Sequence, residues 1–200
     1  MPDNLKCASV DALSKLILAS GSPRRRELLG RAAIEFEVIQ SGVDEVREPN
    51  EVARDYALRM ARDKALAVSV QHPKRFVLAA DTVVECDGHI LEKPSDADDA
   101  MRMLNTLSGR THTVVTAFAI ASNGGINAGD AIISRVTFRT LSTDEIAAYI
   151  ATGEPFDKAG AYGIQGIGGG FITHVEGSRD NVMGLPTDEV VAALRRHKII

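Results

Sequence analysis

Three consecutive arginines are the first feature of this sequence that indicates chemistry. Arg24, Arg25 and Arg26 follow the turn Ser20–Pro23, in which Ser22 can cap a helix. Free backbone N–H groups at such a helix start attract anions, and guanidinium groups bind phosphate well. The segment is a candidate polyphosphate cradle, and a capped helix with solvated arginines is the alternative. It is not a Walker A loop, because the Gly-Lys-Ser/Thr ending is missing.

Two charged side chains stand where apolar ones are expected. Lys64 lies on the apolar stripe of a predicted helix, where an ammonium either extends outward to water or meets a negative partner such as phosphate. Asp81 follows the apolar run Phe76–Ala80, which is typical of a central strand buried on both faces. Ligands of open α/β sheets gather at the carboxyl ends of such strands. Asp81 is therefore a candidate catalytic carboxylate, with the capping of a turn as the alternative.

A second carboxylate suggests a metal ion. Glu45 ends a polar loop that follows another predicted strand. Mg²⁺ typically takes one or two carboxylates, several waters and phosphate oxygens, so Glu45 and Asp81 are candidate ligands of one ion. The five histidines show no metal-ligand spacing. Residues 160–170 are rich in glycine, which permits close approach to a ligand but also suits a flexible loop or a bulged strand.

These candidates need elements to position them, and strands alternate with helices along the chain. This pattern predicts an α/β fold with a mixed sheet and flanking helices. The hairpin signals Asp87-Gly88 and Asn123–Gly125 each separate two strand patterns. The predicted strands are 16–19, 36–39, 76–80, 83–85, 89–91, 111–121 and 126–139, with one further strand between the glycine-rich residues 160–170 and the last helix. The predicted helices are 23–33, 50–70, 95–107, 142–151 and 186–197.

Composition narrows the class of protein. The chain has 200 residues, 44% hydrophobic and 25% charged, which predicts one globular domain over residues 16–200 after a loose extension over residues 1–15. It has no apolar run of the roughly 20 residues that a membrane helix needs, and no secretory signal is evident. A net charge of −4 argues against stable nucleic-acid binding. The two cysteines, Cys7 and Cys86, are too few for a disulfide framework and fit a reducing cytoplasm.

Several segments, taken together and in this order, resemble the Maf family of nucleoside triphosphate pyrophosphatases. They are ASGSPRRRELL (19–29), SGVDE (41–45), Lys64-Ala65, AADTVV (79–84), KP (93–94), LSGRTHTVVTA (107–117) and DKAGAYGIQG (157–166). The resemblance runs from about Leu16 to Leu194. It implies a twisted mixed sheet with flanking helices and two lobes around a cleft, similar to inosine triphosphate pyrophosphatases, and a homodimer.

The resemblance also implies roles for single residues. Asp81 matches the proton acceptor and a metal position, and Glu45 matches an acidic position associated with the divalent cation, Mg²⁺ or Mn²⁺. The positions that face the phosphates are Ser20, Arg24, Arg25, Lys64 and Lys93. Glu92 departs from the family pattern, in which glycine often precedes Lys-Pro.

Three positions separate the branches of the family. Here they are Arg24, Thr82 and Gln165, a combination similar to the branch that hydrolyses dTTP and UTP and unlike the branch that acts on 7-methyl-GTP. The prediction is hydrolysis of dTTP and UTP to the monophosphate and pyrophosphate, for nucleotide-pool cleansing and with a role in cell-division arrest. The alternatives are a pyrophosphatase for modified nucleotides such as 7-methyl-GTP and a non-catalytic, nucleotide-binding regulator of septum formation. A carboxylate pair placed for a metal favours catalysis.

Overall fold

The computed structural model describes residues 15–200, and a seven-stranded mixed sheet forms its centre. The strands are β1 (Leu16–Leu18), β2 (Phe36–Val38), β3 (Val77–Cys86), β4 (His89–Leu91), β5 (Thr111–Ser122), β6 (Gly125–Phe138) and β7 (Ile172–Glu176). Their order is β2-β1-β3-β5-β6-β7, with β4 also paired to β3. β1 runs parallel to β2 and β3, and the other pairs are antiparallel. This confirms the predicted mixed α/β sheet. The predicted extension over residues 1–15 lies, apart from Lys15, outside the described residues.

Between residues 15 and 200, six α-helices and three short 3₁₀ helices accompany the sheet. The α-helices are α1 (Pro23–Arg31), α2 (Ala53–Gln71), α3 (Ala97–Leu107), α4 (Thr143–Ala151), α5 (Arg179–Met183) and α6 (Thr187–Arg196), and the 3₁₀ helices are Glu154–Asp157, Ala159–Ala161 and Ile167–Phe171. In this part of the chain no helix has the length and apolar character needed to cross a membrane. The glycine-rich residues 160–170 contribute to two of these 3₁₀ helices and do not form a bulged strand.

The helix ends differ from the predicted ones for local reasons. α1 ends at Arg31 because Ala33 takes a left-handed φ of 55°, and α2 starts at Ala53 after Asn50 takes a φ of 61°. α3 starts after Asp96, whose side chain accepts the backbone N–H of Asp99. The predicted cap at Ser22 is confirmed, since its hydroxyl accepts the backbone N–H of Arg25. That cap fixes the start of the arginine segment.

Different helices cover the two faces of the sheet, and the alternation of side chains along β3 shows which face each residue serves. Val77, Ala79 and Val83 pack in a cluster with α2, whereas Leu78 and Ala80 pack in a cluster with α1 and α6. Asp81 has the same parity as Val77 and therefore points to the α2 face. A third apolar cluster joins α3 and α4 to the far end of β3.

β3 is longer than the sequence predicted. The prediction ended one strand at Ala80 and began another at Val83, but a single strand runs through Val77–Cys86. Asp81 therefore lies within the strand, opposite Ala117 of β5, and caps no turn. The strand need not break there because Lys64 on α2 neutralises the carboxylate. The parallel pairing with β1 ends at Leu18, so Asp81 still lies just beyond the carboxyl end of a parallel strand.

A buried histidine makes the stability of this fold depend on pH. His112 on β5 is 2% exposed, and its Nε2 lies 2.8 Å from the Oη of Tyr162. Burial lowers the pKa of His112 from 6.5 to about 4. Between these pH values the unfolded chain binds a proton that the folded chain does not. The stability that neutral His112 contributes is therefore fully present above pH 6.5, and it is lost as the pH falls towards 4.

We expect His112→Asn to remove this part of the pH dependence. From about pH 7.5 to about pH 5, the free energy of unfolding of the wild type should fall by ~2 kcal/mol more than that of the variant. Urea unfolding at both pH values measures the difference. The comparison uses the two pH slopes, so a constant destabilisation of the variant does not affect it. Equal slopes would contradict the assignment to His112.

Candidate active site

A cleft of about 820 Å³ lies between the turn after β1 and the 3₁₀ segments that follow α4. This volume is within the range of small-molecule sites. The cleft brings together parts of the chain that are far apart in sequence, including the β1–α1 turn, the loop after β2, α2 and β3. Eight of the nine predicted site residues line it: Ser20, Arg24, Arg25, Glu45, Lys64, Asp81, Thr82 and Lys93.

The centre of the cleft is a lysine between two carboxylates. The Nζ of Lys64 donates hydrogen bonds to the Oδ1 of Asp81 and the Oε1 of Glu45, each at 2.6 Å. Lys64 is 6% exposed and Asp81 is 7% exposed. Lys93 donates to the other carboxylate oxygen of Glu45 at 2.9 Å. Lys64 therefore meets negative partners instead of extending to water, and both carboxylates converge on one cationic centre.

The pKa values of the two carboxylates move in opposite directions. Burial raises the pKa of Glu45, but the hydrogen bonds and charges of Lys64 and Lys93 outweigh burial and lower that pKa to about 2. Burial also raises the pKa of Asp81, and there it outweighs the lowering effect of Lys64 and Arg25. The difference arises because the side chain of Glu45 is more exposed and contacts two lysines, whereas that of Asp81 is only 10% exposed. Asp81 is thus the carboxylate better suited to accept a proton, and Glu45 keeps its charge.

Arg25 forms part of the cleft wall through a fixed set of hydrogen bonds. Its Nε donates to the carbonyl oxygen of Gly184 at 2.8 Å, its Nη1 to the Oγ of Ser20 at 3.2 Å and its Nη2 to the Oγ1 of Thr82 at 3.1 Å. The Oγ1 of Thr82 also lies 3.0 Å from the Oγ1 of Thr116. Arg25 therefore links the β1–α1 turn to β3 and to the end of α5, and Thr82 orients this guanidinium.

Arg24 has a different environment. Its Nη1 donates to the Oδ2 of Asp157 at 3.1 Å, and this pair joins the start of α1 to the opposite wall of the cleft. Asp157 is largely exposed, and its other carboxylate oxygen accepts a hydrogen bond from Lys158. An exposed ion pair is weak and readily exchanged. Arg24 can therefore exchange Asp157 for an anionic ligand. Arg25, in contrast, already makes three hydrogen bonds within the protein.

We expect Arg25→Lys and Arg24→Lys to separate these two roles. Lysine cannot reproduce the three directed donors of Arg25, so the free energy of unfolding should fall by about 2 kcal/mol in Arg25→Lys. The same change at Arg24 should cost less than about 0.5 kcal/mol, because only exposed contacts with Asp157 are altered. Chemical denaturation of both variants makes the comparison. Equal losses would show that Arg25 is not a structural anchor.

Gln165 is the predicted site residue that does not line the cleft. Its Nε2 donates to the Oε1 of Glu27 on α1 at 3.3 Å, although its neighbours Gly163 and Ile164 do line the cleft. The segment folds back tightly at Gly166, where φ is 87° and an added Cβ would lie 2.8 Å from the Oε2 of Glu154. Gln165 is thus at the rim, one residue away from the cleft wall.

Several other residues of the cleft wall were not among the predicted site residues. Tyr56 fits the apolar stripe of α2 and is indistinguishable there from a core residue. Asp157 contacts Arg24 across 133 residues of sequence, which no local pattern indicates. The only available signal was the segment 157–166 within the family resemblance. Phe156, next to Asp157, lay just outside that segment.

The fold and the site together define an α/β protein with a cleft lined by arginine and lysine side chains and by two carboxylates that share one lysine. A family model described as Maf-like protein matches residues 15–197. The dTTP/UTP pyrophosphatase of Escherichia coli O157:H7 is 50% identical over 183 residues, which are 91% of this chain and 92% of that relative. The dTTP/UTP pyrophosphatase of Geotalea uraniireducens (strain Rf4) is 52% identical over 190 residues, 94% and 97% of the two chains. The chain belongs to the Maf family.

A comparison with solved structures finds a more distant likeness. The nucleoside-triphosphatase / dITP/XTP pyrophosphatase from Mycobacterium abscessus shares 18% sequence identity with this chain and covers 92% of it, which corresponds to 96% of that structure. The TM-score is 0.44. The family assignment rests on the sequence relatives and on the family model.

Proposed function

We propose that this protein hydrolyses dTTP and UTP to the corresponding monophosphate and pyrophosphate. The observation that carries the proposal is the hydrogen-bonded cluster of buried Asp81 and Lys64 with the more exposed Glu45, in a cleft whose wall bears Arg24 and Lys93. Phosphoryl transfer depends on positioning and charge neutralisation more than on covalent chemistry. The choice of nucleotide is supported by relatives named dTTP/UTP pyrophosphatase at 50% and 52% identity.

Asp81 is the proposed proton acceptor. Lys64 occupies its Oδ1, and within residues 15–200 no hydrogen bond occupies its Oδ2, so that oxygen is available to orient a water. The water oxygen forms a bond to the α-phosphorus while the bond to the α–β bridging oxygen breaks. The proton of the water passes to Asp81, and pyrophosphate leaves with the bonding electron pair. The raised pKa of Asp81 favours the proton transfer.

Glu45 and Asp81 are the residues that would hold a divalent cation, Mg²⁺ or Mn²⁺. They fit this role because their oxygens already converge on one cationic centre, the Nζ of Lys64, at 2.6 Å each. No three His, Cys, Asp or Glu side chains gather as a metal site in the described part of the chain, so waters and phosphate oxygens would complete the coordination. A bound cation would neutralise charge on the phosphate oxygens.

We expect pyrophosphate release to depend on this cation. Excess EDTA should reduce turnover to background, and Mg²⁺ or Mn²⁺ should restore it. Glu45→Gln should raise the metal concentration needed for half-maximal activity by roughly tenfold or more, because one charged ligand is lost. Asp44→Asn is the matched control, since Asp44 is exposed on the same loop and does not line the cleft. Full activity in EDTA would contradict the metal proposal.

A panel of triphosphates tests the proposed reaction. Purified protein is incubated with dTTP, UTP, the other canonical nucleotides and 7-methyl-GTP, while pyrophosphate and orthophosphate are measured separately. The highest kcat/KM should be for dTTP and UTP, with pyrophosphate as the product. Orthophosphate as the sole product would contradict cleavage at the α-phosphorus. A preference for 7-methyl-GTP, or binding without turnover, would instead support one of the two alternatives.

We also propose that the protein acts in the cytoplasm and as a homodimer, as the resemblance to the Maf family implies. The low cysteine content supports the first part of this proposal. Sedimentation equilibrium tests the second part, since a homodimer has twice the chain mass of 21.4 kDa.

A further inference from the structure

Among the Phe and Tyr side chains of this protein one is exposed, and it lies on the wall of the cleft. Phe156 is 40% exposed and lines the cleft. All other Phe and Tyr side chains are buried or half-buried, and the sequence has no Trp. Phe156 belongs to none of the three apolar clusters and to none of the aromatic pairs of the described chain. A single exposed apolar side chain is ordinary on a protein surface, so its position is what matters.

The turn that carries Phe156 is anchored on its N-terminal side. Pro155 is buried, and the carboxylate of Glu154 lies against Gly166 of the glycine-rich segment. The carboxylate of Glu154 accepts hydrogen bonds from the backbone N–H groups of Ile167 at 3.0 Å and Gly168 at 3.1 Å. The backbone just before the ring is therefore fixed to a second, distant segment of the chain.

The C-terminal side of the turn is anchored as well. The Nζ of Lys158 donates to the carbonyl oxygen of Glu154 and to the Oδ1 of Asp157, each at 2.6 Å. The Oδ2 of Asp157 accepts the hydrogen bond from Arg24. A ring displayed on such a fixed turn loses little conformational freedom when a ligand packs against it, and binding is stronger for that reason.

Phe156 shares the cleft with several cationic side chains. Arg24, Lys64 and Lys93 supply cationic groups for a polyphosphate, and Phe156 stands one residue from the partner of Arg24. A nucleoside triphosphate is anionic at one end and carries a flat base with two π-faces at the other. A cleft lined by both cationic side chains and an unpaired phenyl ring complements both ends.

We propose that Phe156 is the surface on which the nucleobase of the bound triphosphate stacks. This inference rests on the proposed function and adds a contact for the nucleoside half of the substrate. Stacking accepts any base, because every base has a π-face. Phe156 therefore supplies affinity for the nucleoside and does not choose between bases, so its loss should weaken binding of UTP and dTTP by similar factors.

A fluorescent variant tests the contact directly. The chain has no tryptophan, so Phe156→Trp introduces a single indole at the stacking surface. UTP with Mg²⁺ should quench its emission, whereas inorganic tripolyphosphate, which has no base, should not. Ile133→Trp, at an exposed position of β6 outside the cleft, should respond to neither. Unchanged emission of Phe156→Trp while calorimetry shows bound UTP would overturn the proposal.

Steady-state kinetics and binding give an independent test. Phe156→Ala should raise KM for both UTP and dTTP roughly tenfold, or about 1.4 kcal/mol, with kcat within about twofold, because binding in ground and transition states weakens alike. Phe156→Trp should retain the wild-type KM, and Phe156→Leu should fall between. Inhibition by tripolyphosphate should be the same in all of these variants.

The same variants separate this proposal from the proposed function. The calorimetric Kd of α,β-imido-UTP needs no turnover, and Phe156→Ala should weaken it roughly tenfold. An unchanged Kd would overturn the stacking contact whether or not the protein is active. A Kd that depends on Phe156 in a protein without pyrophosphatase activity would support the contact and overturn the proposed function.

Discussion

Replacing Asp81 by asparagine should reduce kcat for pyrophosphate release from UTP by about 10³-fold, because a positioned proton acceptor typically contributes between ~10² and ~10⁴. The amide has the size of the carboxylate and its oxygen can still accept the hydrogen bond from Lys64, but it cannot take up the proton of the attacking water. The fold should persist, since Asp81 is surrounded by an intact strand pairing with β5.

A binding measurement and a control variant test whether the loss in Asp81→Asn is specific to proton transfer. Nucleotide binding by Asp81→Asn should stay within about tenfold of the wild type, because most of the phosphate-facing cations are unchanged. Asp157→Asn is the matched control for an aspartate on the same cleft, and its kcat should fall far less, as Asp157 is exposed and paired only with Arg24 and Lys158. Undiminished turnover in Asp81→Asn would remove Asp81 from the proposed role.

Lys64→Met should produce the largest loss of stability among single substitutions at the site. The buried ammonium holds Asp81 and Glu45, and its removal leaves Asp81 beside a second carboxylate without its lysine partner, while Lys93 still pairs with Glu45. Breaking a buried pair in this way typically lowers the free energy of unfolding by ~3 kcal/mol or more. Asp81 can partly relieve the repulsion by taking up a proton, which places the expected loss near the lower end. Turnover should fall with it, because Asp81 loses its orienting partner.

Lys93→Met provides the matched control for this loss. Lys93 contacts the same carboxylate, Glu45, but its side chain is 55% exposed. Such an ion pair contributes less than about 1 kcal/mol. Urea unfolding of both variants, in EDTA so that no cation replaces the lost charge, gives the comparison. Similar small losses in the two variants would show that neutralisation of Asp81 and Glu45 by Lys64 does not stabilise the fold.

Features set by local physical chemistry were predicted well from the sequence. The helix cap at Ser22 needs only a hydroxyl that accepts a hydrogen bond from the backbone N–H three residues later, that of Arg25. The hairpin turns at Asp87-Gly88 and Asn123-Gly124 depend on residues that tolerate positive φ, and all four residues have it in the structure. Each feature needs only neighbouring residues, so the sequence pattern carries the necessary information.

Features set by tertiary contacts were predicted less well. Asp81 was placed at a strand end because the apolar run stops there, and the lysine that lets the strand continue through it lies on another element. Lys64 left two possibilities open for the same reason. Thr82 lines the cleft as predicted, but the contacts of its hydroxyl with Arg25 and Thr116 could not be read from the sequence. In each case the missing information was which side chain of a different element faces the residue.

The position of bond cleavage tests the account most directly. UTP is hydrolysed to completion in water enriched in ¹⁸O with Mg²⁺ present, and the products are separated and weighed by mass spectrometry. Attack of a water on the α-phosphorus, with Asp81 as proton acceptor, places one ¹⁸O atom in UMP and none in pyrophosphate. Label in pyrophosphate with unlabelled UMP would mean attack at the β-phosphorus and would contradict the account.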